Sequence, residues 1–107
     1  MKNIICIIDY GCGNTRSIQS SINFLGYKAL ISNDNKIIKK SSHIILPGVG
    51  SYFNALKKVK LNLDLNFLKE EILKKKKPIL GICVGMQILS TYGYEFKKTS
   101  GLNWIKG

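Results

Sequence analysis

Three times in this 107-residue chain a short apolar run stops at a glycine-rich turn. Residues 4–9 run into Tyr10-Gly11-Cys12-Gly13-Asn14, residues 43–46 into Pro47-Gly48-Val49-Gly50, and residues 78–82 into a turn in which Gly81 and Gly85 flank Cys83. The runs are rich in isoleucine and lack polar alternation, the signature of strands covered on both faces, as in parallel sheets. In open α/β sheets the loops at the carboxyl ends of parallel strands are where ligands bind. The three glycine turns are therefore expected to converge on one site.

Between the runs the pattern is helical. Ile18, Ile22 and Leu25 recur at helical spacing over residues 15–25, with Gly26 as the stop, and residues 27–32 supply a second strand. That is a β-α-β unit, with its right-handed crossover. Residues 33–35 read as a turn, 36–40 as a polar helical turn, and 53–59 and 63–73 as helices, the second with Leu65, Leu68 and Ile72 on one side. The lysines at 74–77 form a solvated run before the strand that opens at Pro78, where a missing donor costs least. After Cys83 a helix is expected to reach Tyr92-Gly93. Beyond Tyr94 the pattern weakens, and residues 101–107 look like the start of another element. The fold class expected is an α/β domain with a mostly parallel open sheet and helices on both faces.

Composition narrows the function. No apolar run approaches the ~20 residues a membrane span needs, and the opening residues are too quickly acidic for a secretory leader, so a cytoplasmic protein is expected. Cys6, Cys12 and Cys83 form neither a disulfide framework nor a metal-ligand pattern, and neither a metal nor a cofactor is expected. The net charge of +11 comes almost entirely from lysine, with Arg16 the only arginine. Phosphate and base recognition favour arginine forks, so a nucleic-acid partner is not expected. Gly11-Cys12-Gly13 is not a dinucleotide fingerprint, because the third glycine position holds Arg16.

The sharpest local signal is Gly81-Ile82-Cys83-Val84-Gly85. Strand, tight turn and helix with Gly-x-Cys-x-Gly at the turn copies the nucleophile elbow of the α/β hydrolases, with sulfur in place of oxygen. A thiol displayed there, at a helix amino end that favours the thiolate, is a candidate nucleophile. Attack on a carbonyl needs N–H donors aimed at the developing oxyanion; Val84 offers one, and the loop Gly48 to Gly50 a second. The only histidine, His43, opens its strand at the end away from these loops and makes a poor general base.

Leu46-Pro47-Gly48-Val49-Gly50, Gly81-Ile82-Cys83-Val84-Gly85-Met86-Gln87 and Asp9-Tyr10-Gly11-Cys12-Gly13-Asn14 together closely resemble the class I (triad) glutamine amidotransferases. Within that family the chain is similar to the glutaminase subunits of imidazole glycerol phosphate synthase, over its whole length and including Glu95 and Gly101-Leu102. The resemblance implies a flavodoxin-like fold of which residues 1–107 are the amino-terminal portion of one domain. It implies that Cys83 attacks the side-chain amide of glutamine to release ammonia and form a thioester. Val84, Val49 and Gly50 are then the oxyanion hole, and Gly48, Gln87 and Glu95 hold glutamine. The loop with Tyr10, Gly11, Gly13 and Asn14 is then near a (β/α)8-barrel cyclase partner, which uses the ammonia in histidine biosynthesis. Two departures stand out: Val84 replaces the usual leucine, and the family's catalytic histidine and glutamate, which lie in its carboxyl-terminal half, have no counterpart here. A chain without them is expected to turn over negligibly. Two alternatives follow, a non-catalytic interaction module and an amidotransferase subunit serving another acceptor such as a sugar.

Overall fold

In the computed structural model, which describes residues 3–95 and 97–107, four parallel strands stand in the order β2-β1-β3-β4. Met1 and Lys2, the start of the stretch weighed as a leader, lie outside the described residues. The strands are β1 (Ile4–Ile8), β2 (Lys28–Ser32), β3 (His43–Leu46) and β4 (Ile79–Gly81). Register is set by pairs such as Cys6 with Leu30, Ile7 with Ile45, and Leu46 with Gly81. The expected fold class is what the chain adopts.

Alternation along the strands sorts the core into two layers. Cys6, Ile8, Ile44 and Leu46 face a large cluster with Ile38, Ala55, Leu56, Val59, Leu68 and Ile72. On that side lie the helices α2 (Asn35–Lys40), α3 (Tyr52–Asn62), α4 (Leu65–Lys69) and α5 (Val84–Gln87). Ile7, Ala29 and Ile45 face the other way, where α1 (Thr15–Phe24) presents Ile18 and Ile22. That helix packs mainly on β2 and β1. The β3–β4 half of the same face carries Leu80, 58% exposed.

Several boundaries differ from the sequence reading, each for a local reason. The helix expected at 53–59 runs from Tyr52 to Asn62, opened by Ser51, whose hydroxyl accepts the Asn54 N–H. The single helix expected at 63–73 starts later, at Leu65, because Asp64 caps it by accepting the Phe67 N–H. It then widens into a π-helical turn, Glu70–Lys74. The helix after Cys83 stops at Gln87 and does not reach Tyr92. Instead Tyr92–Gly93 pairs antiparallel with Thr99–Ser100 as β5 and β6. Residues 101–105 form no regular element; the Leu102, Trp104 and Ile105 N–H groups return to carbonyls of Ile88 and Leu89.

Candidate active site

β1 sits between β2 and β3, so the chain leaves it in opposite directions on its two sides, and the crevice at the strands' carboxyl ends opens there. Loop 9–14 leaves β1, loop 47–50 leaves β3, and Cys83 follows β4. Asn14, Pro47, Gly48, Val49, Gly50, Cys83, Val84 and Gln87 line one open cleft of about 500 Å³.

Cys83 is an exposed free cysteine with φ 55° and ψ −127°. A non-glycine residue at positive φ outside the left-handed helical well is strained, by about 1–3 kcal/mol. The turn is held from both sides. The Ile82 N–H donates to the Leu46 carbonyl at 3.0 Å, the Gly85 N–H to Ile82 at 2.9 Å, and the Met86 N–H to Cys83 at 2.9 Å. None of these bonds uses the Val84 N–H. Close packing explains the glycines. A Cβ on Gly85 would run into the Leu46 and Pro47 carbonyls, and one on Gly48 into the Gly85 nitrogen and the Val84 side chain. The two loops therefore interlock backbone to backbone, and only glycine fits at the contact.

The other two thiols are in different environments. Cys6 is fully buried and burial pushes its thiol up to about 11, while desolvation also raises that of half-buried Cys12. Among the three, Cys83 alone is exposed. His43 lies at the amino end of β3, three residues before the end that carries Pro47, and its Nδ1 shares a hydrogen bond with the Ser42 hydroxyl at 2.8 Å.

Glu95 stands outside the cleft that holds Cys83. It lines a neighbouring cavity of about 490 Å³ with Tyr52, Met86, Tyr92 and Tyr94, and Gln87 borders both spaces. Its Oε2 accepts the Tyr52 N–H at 2.9 Å, which ties it to the first turn of α3. Gly11 and Gly13 are exposed and lie outside the cleft, whereas Tyr10 is buried. Sequence reasoning missed Tyr52, whose ring fills the space a side chain on Gly93 would occupy and whose hydroxyl does the same at Gly101. The signal was three residues, one aromatic and two glycines, that become neighbours only on folding.

Residues 6–99 match the family model of the class I glutamine amidotransferases. The chain belongs to that family. Among its curated relatives, one subunit named imidazole glycerol phosphate synthase subunit HisH 2, from Vibrio vulnificus, is 43% identical over 96% of the chain and 49% of its own length. HisH subunits of that synthase from Caldanaerobacter subterraneus and Listeria monocytogenes are 44% and 43% identical, each over 97% of the chain. The chain spans about half the length of the curated relatives it matches. Among the described residues no group of three or more His, Cys, Asp or Glu side chains is placed to hold a metal ion, and no helix is long and apolar enough to cross a membrane.

Proposed function

We propose that this chain carries the nucleophile of a glutaminase, as the amino-terminal portion of a single amidotransferase domain acting in the cytoplasm. The observation that carries the reading is the exposed, strained Cys83 sharing a cleft with Gly48, Val49 and Gly50. The Cys83 thiolate attacks the glutamine amide carbon; the carbonyl electrons move onto oxygen and are met by N–H groups of Val84, Val49 and Gly50. Collapse of that intermediate expels the amide nitrogen, which leaves as ammonia once protonated, and a γ-glutamyl thioester remains for water to hydrolyse. Gly48, Gln87 and Glu95 hold the amino acid portion, with Gln87 at the border of the two cavities. In this reading the ammonia passes to a (β/α)8-barrel cyclase subunit making imidazole glycerol phosphate, docked against the loop that carries Tyr10, Gly11, Gly13 and Asn14; the relatives' names as subunits of imidazole glycerol phosphate synthase support it.

A chloroketone analogue of glutamine tests the reading. It is expected to alkylate Cys83, to spare Cys83→Ser, and to be slowed by excess glutamine. Modification of Cys12 or Cys6 instead, or indifference to glutamine, overturns it. The position of His43 favours a second reading, a partner-binding module without turnover, since the chain's one imidazole stands at the other end of β3. Glutaminase assays separate the two. The chain alone is expected to release negligible ammonia, because losing one member of a catalytic triad costs several orders of magnitude. Adding the carboxyl-terminal half of a relative restores release under the first reading and not under the second.

A further inference from the structure

Tyr10 belongs to the loop that follows β1, yet it is only 1% exposed. Its hydroxyl donates to the carbonyl of Pro47. The Pro47 backbone also lies against Gly85, so this carbonyl is enclosed between the phenol and the elbow. There are no cis peptide bonds among the described residues. In a trans peptide the C=O and N–H point in opposite directions, so fixing the Pro47 oxygen fixes the direction of the Gly48 N–H and the peptide plane from which the chain enters Val49 and Gly50.

We infer that Tyr10 is a positioning residue that sets the loop 47–50 against Cys83 by holding the Pro47 carbonyl. The inference rests on the proposed acyl chemistry and adds a residue to it. Tyr10 is itself well anchored: the Asn62 side-chain amide donates to its carbonyl at 2.9 Å, and Lys58 Nζ donates to the Gly11 carbonyl at 3.1 Å. Both anchors come from α3. The titratable neighbour facing the phenol is the Cys12 thiol, and burial first, then Cys12, pushes the phenol above its ordinary range. The hydroxyl is therefore protonated, and able to donate, at neutral pH. No other side chain hydrogen-bonds to a backbone atom of residues 47–50 among the described residues.

Tyr10→Phe keeps the ring and removes the donor. Two reagents read its effect at Cys83 on the full chain, with the Cys83→Ser background subtracted. p-Nitrophenyl acetate acylates the thiolate through an oxyanion and releases p-nitrophenolate, whereas iodoacetamide is displaced at a saturated carbon and builds no oxyanion. Tyr10→Phe is expected to slow acylation by at least about ten-fold while alkylation stays within about two-fold, because only the first reaction uses the aligned amides. Equal slowing of both, or of neither, overturns the inference. The chloroketone result on the unaltered chain is independent of this comparison, so failure here and failure of the glutaminase reading are distinguishable.

Discussion

At Cys83 the backbone adopts φ 55° and ψ −127°, and packing rather than any cap keeps it there. The strain of about 1–3 kcal/mol is supported by contacts among Gly48, Val84 and Gly85, each within reach of the next. Such a contact has no slack, since the atoms met are backbone. Gly85→Ala is therefore expected to cost about 1–3 kcal/mol, in the range of overpacked interiors, seen as a lower midpoint in urea. It is also expected to slow iodoacetamide at Cys83, as the elbow is pushed off Leu46 and Pro47. Unchanged stability with unchanged thiol reactivity would show that the loops are not interlocked. The elbow was legible in the sequence because Gly-x-Cys-x-Gly is a local pattern with a local cause. Tyr10 was not: its partner Pro47 is 37 residues away and the bond goes to a backbone carbonyl, which leaves no mark in residue type.

At the scale of elements, one ion cluster fastens α2 to the π-helical turn. Glu71 is buried; Lys77 Nζ lies 3.0 Å from its Oε1 and Lys75 Nζ 2.8 Å from its Oε2. Lys77 also donates to the Ile38 and Lys39 carbonyls at 2.7 and 2.9 Å, which closes the carboxyl end of α2. Desolvation raises the Glu71 carboxyl, but the hydrogen bond from Lys77 and the nearby charges of Lys77 and Lys75 outweigh it and its pKa is lowered. A lowered carboxyl stabilises the fold fully above the ordinary value of about 4.3 and loses that contribution as pH falls through the folded value. Cys6 acts at the other end. Its raised thiol stabilises below the ordinary value of 9.0 and loses the contribution as pH climbs toward about 11. Glu71→Gln is expected to cost about 2–3 kcal/mol at neutral pH and to flatten the acid limb of stability against pH, leaving the alkaline limb in place. An unchanged acid limb would assign that limb to other carboxylates. The elements themselves were read unevenly. α1 announced itself through Ile18 and Ile22, while Asp64, an N-cap inside an apolar stretch, broke the helix expected at 63–73. β5 and β6 are two residues each, too short for any periodicity, and exist because Tyr52, with Lys97 over Phe53 and Lys98 over Tyr92, holds the hairpin down.

Across the whole molecule the sheet has two edges and unequal cover. α1 shields β1 and β2, leaving Leu80 58% exposed on β4, beside Ile82. An uncovered strand with open N–H and C=O groups is a template for pairing. The chain alone is accordingly expected to self-associate with rising concentration in gel filtration, and Leu80→Glu to shift it toward the monomer; a wild-type monomer independent of concentration contradicts this. The parallel arrangement itself was readable from three glycine-terminated runs, whereas which half-face lies bare was not, because helix coverage is a property of the assembled layers. That bare flank has a bearing on proton traffic. Neighbouring strands lie about 4.8 Å apart, so β2 is about 14 Å from β4 across the sheet. A proton acceptor carried beyond β2 is out of range of the sulfur, while one laid alongside β4 starts a single spacing away. On the glutaminase reading, the edge expected to make the isolated chain self-associate is also the nearest approach for a base.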